Sequence, residues 1–249
     1  MTRVLLLGGT AEATVIARHF ASHGVDAIYS YAGRTDSPVA QPLPTRVGGF
    51  GGAAGLAAWL TAEGMTHIVD ATHPFAAGMS RNAIAAAAAT GLPLCAFERA
   101  PWEAGDGDDW THVADIAAAV DALPEEPCRI FLAIGRQTLS AFAVKPWHQY
   151  LLRLVDPPEG RLPLPDAEVV VARGPFTEAG DLKLLKSRRV NLIVTKNSGG
   201  DGARAKLDAA RALRIPVIMV DRPVLPTRRV ARNVAEVMAF LGHPADLGV

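Results

Sequence analysis

The chain has 249 residues, 49% of them hydrophobic, and carries 25 Lys and Arg against 25 Asp and Glu. This composition suffices for a large core in one or two domains, and the balanced charge argues against a nucleic-acid-binding protein. The two cysteines lack metal-ligand spacing, and no apolar run approaches the roughly 20 residues that cross a bilayer. We therefore expect reduced thiols, no metal site, no membrane segment and a cytoplasmic location.

Short runs rich in Val, Ile and Leu alternate with longer Ala- and Leu-rich segments in the first half of the chain. The short runs predict β-strands at residues 4–7, 27–31, 45–47, 67–70, 92–97 and 111–113. The longer segments predict helices at residues 13–23, 53–63, 76–90 and 116–123. Three of these helices are followed closely by a glycine that suits a left-handed cap. The alternation is typical of a parallel sheet with crossover helices.

The second half repeats this order. Its apolar runs predict strands at residues 129–134, 150–154, 168–171, 191–195, 216–220 and 228–230. Four pairs of identical residues lie 123 positions apart, namely Thr72 and Thr195, Arg81 and Arg204, Pro93 and Pro216, and Arg99 and Arg222. Such self-similarity indicates an internal repeat, although a chance alignment of two α/β halves is the alternative.

The repeat predicts an α/β protein with two tandem Rossmann-like domains, each with a parallel sheet. A polar, proline-bearing link at residues 124–127 separates a domain of residues 1–124 from a domain of residues 125–249. Each half ends with a short strand that follows a long loop. This leaves open an exchange in which the terminal strands pair with the other domain's sheet.

A glycine turn joins the first predicted strand to the first helix. Glycine lets the backbone approach a pyrophosphate, and a helix N-terminus presents free N–H groups to it. The spacing is a degenerate dinucleotide-binding motif, so a turn without a ligand is the alternative. The candidate cofactor-binding residues in this turn are Gly8, Gly9, Thr10, Glu12 and Ala13.

The second predicted strand runs into Gly33, Arg34 and Thr35 with no acid at its end. NAD-binding proteins usually place an acid there for the ribose hydroxyls, whereas NADP-binding proteins place Arg and small polar groups for the 2′-phosphate. Arg34 and Thr35 therefore favour NADPH as the cofactor. A solvated surface arginine is the alternative.

Two further loops of the first half carry candidate residues. Four glycines flank Phe50 after the third strand, and a ligand close to the backbone at Gly49 and Phe50 would justify their cost in stability. A flexible loop is the alternative there. After the fourth strand, Ala71 and Thr72 are expected to contact the cofactor. His73 is a candidate substrate contact and proton donor, with a cap or packing role as the alternative.

The corresponding loops of the second half carry cationic and amide side chains. Such groups suit carboxylates better than a second dinucleotide, so they predict a substrate with several carboxylates. Lys206 and Arg222 are weaker candidates, with exposed surface charge as the alternative. The candidate substrate-binding residues are Arg136, Gln137, Arg153, Lys196, Asn197, Ser198 and Gly199.

Together these segments resemble the precorrin-6x reductase family of cobalamin biosynthesis, over nearly the whole chain. The most specific are Asp-Ala-Thr-His-Pro-Phe-Ala at residues 70–76 and Lys-Asn-Ser-Gly-Gly at residues 196–200. The resemblance implies NADPH-dependent reduction of a carbon–carbon double bond in the tetrapyrrole precorrin-6A, giving precorrin-6B. It leaves open the cobalt-containing analogue as the substrate. The other matching segments are residues 7–13, 33–34, 48–52 and 135–137.

Three other classes of protein share parts of this pattern. A short-chain dehydrogenase needs a Tyr and a Lys four positions apart on a helix, which none of the three tyrosines has. A two-domain glycosyltransferase would bind a sugar nucleotide instead of NADPH. A non-catalytic redox sensor would bind NADPH without a precorrin substrate, but cationic loops suit a polyanionic small molecule better than a flat protein interface.

Overall fold

The computed structural model describes residues 2–32, 39–158 and 160–242. The first half, within these ranges, runs in the order β1 (Arg3–Leu7), α1 (Ala11–Ser22), β2 (Asp26–Tyr31), β3 (Thr45–Val47), α2 (Gly52–Ala62), β4 (His67–Asp70), α3 (Ala77–Thr90), β5 (Leu94–Phe97), β6 (Trp110–Val113) and α4 (Ile116–Asp121). The second half runs in the order β7 (Arg129–Ala133), a 3₁₀ helix (Arg136–Val144), β8 (Gln149–Leu154), β9 (Ala167–Val171), α5 (Glu178–Ser187), β10 (Leu192–Lys196), α6 (Ala205–Leu213), β11 (Val217–Val220), β12 (Arg229–Ala231) and α7 (Val234–Phe240). All the predicted strands are present, with ends within two residues of the expected positions.

The strands form two parallel sheets with the same order. Sheet 1 runs β3-β2-β1-β4-β5-β12 and sheet 2 runs β9-β8-β7-β10-β11-β6. This is the strand order of dinucleotide-binding α/β domains, in which the chain direction across the sheet reverses beside the first strand. The reversal, or switch point, lies between β1 and β4 in sheet 1 and between β7 and β10 in sheet 2. The two Rossmann-like halves that the repeat predicts are confirmed.

The terminal strands are exchanged. β6 pairs in parallel with β11 in sheet 2, and β12 pairs in parallel with β5 in sheet 1. The chain accordingly divides into unit 1, residues 1–99 with 224–249, and unit 2, residues 100–223. The boundary expected at residue 124 falls inside unit 2, because β6 and α4 belong to that unit. Both terminal strands take part in the exchange that the sequence left open.

Ion pairs hold each exchanged strand in its sheet. In unit 2, Asp108 precedes β6 and forms two hydrogen bonds with Arg211 of α6, from Nε at 2.9 Å and Nη2 at 2.7 Å. In unit 1, Arg228 precedes β12 and pairs with Glu98, which follows β5. Arg232 also donates to the Glu98 carbonyl oxygen at 3.0 Å. Each strand is thus attached through side chains as well as through the backbone ladder.

Sheet 1 is covered on both faces because the side chains of β1 are apolar on both. Val4 and Leu6 pack with α1 and α7, where Ile16 and Phe20 are fully buried. Leu5 and Leu7 face the other side, in a cluster with buried side chains of α2 and α3. Alternate residues of a strand point to opposite faces, so a fully apolar strand is buried between two helical layers.

One predicted match between the halves is wrong at the fourth strand. β4 ends at Asp70 and β10 ends at Lys196, which are 126 positions apart (196 minus 70) instead of 123. Thr195, the expected counterpart of Thr72, therefore lies inside β10, whereas Thr72 lies beyond β4. Lys196 takes the place of Asp70, so the two switch points carry opposite charges at this position.

Candidate functional site

The switch point of sheet 1 joins two of the predicted cofactor loops. Thr10 is the N-cap of α1, and its Oγ1 accepts from the backbone N–H of Ala13 at 3.0 Å. The same hydroxyl donates to the carbonyl oxygen of Ala71, beyond β4, at 2.8 Å. One threonine therefore caps the helix and ties together the turns that follow β1 and β4.

The two glycines of the first turn are required for different reasons. A Cβ atom on Gly8 would lie 2.1 Å from the ring of Tyr29, which is fully buried in β2. Gly9 has a φ of +108° and open space where a Cβ would stand. Its N–H donates to Tyr29 Oη at 2.8 Å, and burial raises the pKa of Tyr29 to about 12, so this phenol stays neutral. Gly8 thus accommodates Tyr29, whereas Gly9 presents accessible backbone.

Glu12, in the first turn of α1, forms an ion pair with Arg99. Glu12 Oε1 accepts from Arg99 Nη1 at 2.7 Å. Burial opposes ionisation of Glu12, but the hydrogen bond and the charge of Arg99 outweigh it. The pKa of Glu12 therefore lies below its ordinary value. The second oxygen, Oε2, is buried and has no hydrogen-bond partner among the described residues. Both side chains line a small pocket with Thr10, Ala71, Thr72, Pro74 and Phe97.

The loop after β4 is organised by a buried aspartate. Asp70 accepts from the backbone N–H of Thr72 at 3.1 Å and from its hydroxyl at 2.7 Å. His73 is exposed, and its Nδ1 accepts from the N–H of Phe75 at 3.2 Å. In a neutral imidazole this bond puts the proton on Nε2. The structure therefore places His73 at the sheet edge, beside the pocket residues Thr72 and Pro74.

The glycine loop after β3 is held by an arginine that the sequence did not single out as a site residue. Arg46 donates to the carbonyl oxygens of Gly48 and Gly49, and its guanidinium carbon lies 3.7 Å from the centroid of the Phe50 ring. Phe50 also packs edge-on against Trp59, with ring centroids 5.3 Å apart. Gly49 and Phe50 are thus brought to the same edge of sheet 1 as the first turn.

The predicted 2′-phosphate residues Gly33, Arg34 and Thr35 lie outside the described residues.

In unit 2, hydrogen bonds hold the Lys-Asn-Ser-Gly-Gly segment (residues 196–200) in place. The side-chain amide of Asn197 accepts from the Trp102 N–H at 2.7 Å and donates to the Trp102 carbonyl at 3.0 Å. Arg222 donates to the carbonyl oxygens of Asn197 and Ser198 at 3.0 and 3.1 Å. A Cβ on Gly199 would lie 2.0 Å from the Ala100 carbonyl oxygen. Asn197, Ser198 and Gly199 are buried and shape the loop.

Arg136, Gln137 and Lys196 have a different placement. Arg136 and Gln137 are exposed at the start of the 3₁₀ helix after β7, and Lys196 is half-buried at the end of β10. The register of β7 and β10 pairs Ala133 with Thr195, so these side chains follow adjacent strands. They occupy the switch point of sheet 2.

The side chains of Arg153 and Lys206 are held by other residues of unit 2. The Arg153 side chain is 8% exposed, donates from both terminal nitrogens to Asp181, and lies over the rings of Phe131 and Phe176 at 5.0 and 4.0 Å. Lys206 is buried, donates to a backbone carbonyl and lies 4.5 Å from the Trp102 ring centroid. The structure does not bring these two cations to the exposed edge where Arg136 lies.

Comparison with known proteins identifies this arrangement. The family described as precorrin-6x reductase CbiJ/CobK matches residues 3–242. The chain belongs to the precorrin-6x reductase family.

Members of this family from several bacteria are similar over almost their whole length. The chain is 62% identical to the precorrin-6A reductase of Rhodobacter capsulatus over 241 residues, which is 97% of this chain and 96% of that protein. It is 32% identical to the cobalt-precorrin-6A reductase of Priestia megaterium over 252 residues, covering 96% and 97% of the two chains. A solved structure of a CobK precorrin-6A reductase, 60% identical, superposes with a TM-score of 0.94 and covers 100% of both chains.

Two residues of this precorrin-6x reductase site were missed by reasoning from sequence. Arg99 appeared there only as one member of a repeat pair, and Arg46 only within the predicted third strand. Only their positions in the sequence could have pointed to them. Arg99 follows β5 and Arg46 lies at the end of β3, both at the carboxyl edge of sheet 1. What their side chains contact depends on residues distant along the chain.

The described ranges of the chain hold neither a metal-binding cluster nor a membrane-spanning helix. No group of three or more His, Cys, Asp or Glu side chains there is arranged to hold a metal ion. No helix in the same ranges is both long enough and apolar enough to span a bilayer.

Proposed function

We propose that this chain binds NADPH at the switch point of sheet 1 and uses it to reduce one carbon–carbon double bond of precorrin-6A, giving precorrin-6B. A hydride goes to one carbon and a proton to its neighbour, so NADP⁺ and the saturated bond are the products. The observation that carries the proposal is the accessible Gly9 turn at the N-terminus of α1, beside a buried Glu12 oxygen that has no hydrogen-bond donor in the described part of the chain. The similarity to precorrin-6A reductases supports the choice of substrate.

The residues of the first turn fit a dinucleotide. The α1 N-terminus offers backbone N–H groups and the positive end of the helix dipole to the pyrophosphate. Glu12 would repel a phosphate at this position, but its ion pair with Arg99 compensates that charge. Because Glu12 is ionised, it only accepts hydrogen bonds, and we assign its Oε2 to a hydroxyl or amide donor of NADPH. NADPH supplies the hydride when bound, and these residues position it.

The proton at the neighbouring carbon needs a separate donor. The ionised Glu12 has no proton to give, whereas His73 presents an exposed imidazole beside the same pocket. We assign the proton to His73, and a water molecule is the alternative. If His73 is the donor, His73→Gln should lower kcat by about 100-fold with little change in the KM for NADPH. A change in kcat below about threefold would assign the proton to water.

We assign the substrate's carboxylates to the switch point of sheet 2. Arg136 and Gln137 follow β7, where a glycine turn follows β1 in sheet 1, and Lys196 takes the place of Asp70. A 3₁₀ helix also replaces the α-helix whose N-terminus would hold a pyrophosphate. Unit 1 would thus bind the cofactor and unit 2 the tetrapyrrole. Arg136→Gln and Lys196→Gln should each raise the KM for precorrin-6A by about tenfold, the loss of one charge-assisted hydrogen bond. An unchanged KM in both would refute the assignment.

The direct test is anaerobic incubation of the purified chain with NADPH and precorrin-6A. We expect NADPH to be oxidised as the absorption of the macrocycle changes. Glu12→Gln should raise the KM for NADPH by about tenfold, while the matched control Glu103→Gln, an exposed acid in unit 2, should leave it unchanged. NADPH binding without oxidation would instead favour a redox sensor.

Substrate choice and cellular location complete the proposal. Parallel assays with precorrin-6A and its cobalt-containing analogue decide between the two substrates, and we expect the metal-free one to have the higher kcat/KM. We also propose a cytoplasmic location, where the free thiols of Cys95 and Cys128 would stay reduced. Fractionation of cells that express the tagged chain tests this location.

A further inference from the structure

Arg46 is a cation held in a fixed position by backbone and aromatic groups. Its Nη1 donates to Ser30 Oγ and to the Gly48 carbonyl, both at 2.9 Å, and its Nη2 donates to the Gly49 carbonyl at 3.2 Å. A guanidinium has five N–H donors, so Nε–H and one Nη2–H remain beyond these three bonds. Partial burial lowers the pKa of Arg46, yet a guanidinium stays charged at neutral pH. No carboxylate contacts it within residues 2–32, 39–158 and 160–242.

The position of this guanidinium is defined by β2. Ser30 lies opposite Arg46 in the ladder of β2 and β3 and opposite Leu7 in the ladder of β1 and β2. The Ser30 carbonyl also accepts from the N–H of Gly8 at 3.0 Å. Ser30 therefore links Arg46 to Gly8, the first residue of the glycine turn. Arg46 lies on the β2 side of the switch point. In this fold, the adenosine half of a dinucleotide lies over the end of the second strand.

We infer that Arg46 binds the 2′-phosphate of NADPH and so contributes to a preference for NADPH over NADH. This inference rests on the proposed function, in which the switch point of sheet 1 holds the dinucleotide. A planar guanidinium pairs well with phosphate oxygens through two neighbouring N–H groups. The bonds to Ser30, Gly48 and Gly49 keep the side chain ordered, so little conformational entropy is lost when a phosphate binds.

A purely structural role makes a different prediction. If Arg46 only holds the glycine loop together, its loss disturbs the adenosine site for NADP⁺ and NAD⁺ alike. If it binds the 2′-phosphate, only the phosphorylated nucleotide is affected. The ratio of the two affinities therefore separates the roles.

The experiment compares wild type, Arg46→Gln and Arg46→Lys, with Arg18→Gln on the exposed side of α1 as the matched control. Dissociation constants for NADP⁺, NAD⁺, 2′,5′-ADP and 5′-ADP are measured by calorimetry on the full chain. Arg46→Gln should weaken NADP⁺ and 2′,5′-ADP by about 10- to 100-fold, the loss of a hydrogen bond to a charged group. NAD⁺ and 5′-ADP should change by less than about threefold. Arg46→Lys should be intermediate, and Arg18→Gln should match wild type.

The outcomes distinguish this inference from the proposed function. Equal weakening of NADP⁺ and NAD⁺, an unchanged affinity for NADP⁺, or equal affinities in the wild type would overturn the role of Arg46. A wild type that binds neither dinucleotide would instead contradict the proposed function. If thermal melting shows that Arg46→Gln does not fold, Arg46→Lys, which keeps the charge, decides by the same ratio.

Discussion

Replacing Arg153 with methionine tests whether this residue holds unit 2 together or contacts the substrate, as its sequence position suggested. The Arg153 and Asp181 side chains are 8% and 6% exposed, and both terminal nitrogens of the arginine donate to that carboxylate. Arg153→Met leaves Asp181 buried without its partner, which costs about 3–5 kcal/mol. At roughly 2–4 °C per kcal/mol for a chain of this size, Tm should fall by about 6–20 °C.

The assay is thermal unfolding followed by circular dichroism, run beside steady-state kinetics. The double variant Arg153→Met/Asp181→Leu should recover most of the lost stability, because replacing a buried ion pair with apolar groups is often neutral. Methionine also packs well against Phe131 and Phe176, whose rings flank the guanidinium. If Arg153→Met keeps Tm within about 2 °C and raises the KM for the tetrapyrrole, the structural interpretation is refuted.

Three further predictions concern stability. Gly8→Ala should lower the free energy of unfolding in urea by about 1–3 kcal/mol, because the new Cβ would lie 2.1 Å from the Tyr29 ring. The loss should be smaller in the Tyr29→Leu background. Burial lowers the pKa of His148 below 6.5, so the unfolded chain binds this proton more readily and stability should fall as pH drops below about 6.5. His148→Leu should flatten that fall in urea titrations, and an unchanged slope would exclude His148 as a cause. Asn197→Ala should lower Tm, since two Trp102 backbone groups lose their partner at about 1–3 kcal/mol each, and lost activity at constant Tm would contradict this.

Much of the fold followed from local patterns. The apolar runs located every strand to within two residues, because a strand buried on both faces needs consecutive apolar side chains. The turn at Gly8, Gly9 and Thr10 was also predicted at its observed place, since glycines after a strand and a capping residue before a helix have short-range causes. The carboxyl edge of each sheet therefore followed from the order of strands and helices.

The roles of individual side chains at that edge did not follow. Gly8 looked like a cofactor residue, yet the atom that excludes a side chain there belongs to Tyr29, on the next strand. Arg99 is positioned by its hydrogen bond to Glu12, which is 87 residues away along the chain. Arg153, which its position predicts to contact the substrate, is paired with the buried Asp181 of α5, 28 residues away. Such pairings depend on which strands are neighbours, and residue type and spacing do not encode that.

The sequence by itself determined two parallel α/β sheets, their strands and the glycine and cationic loops at their edges, because these depend on hydrophobic periodicity and turn chemistry within a few residues. Only the tertiary structure decided which strand completes each sheet. β6 (Trp-Thr-His-Val) and β12 (Arg-Val-Ala) are both short and mix polar with apolar side chains, so their sequences do not assign either strand to a particular sheet. The choice depends on contacts between residues distant along the chain, such as those of Asp108 with Arg211 and Glu98 with Arg228.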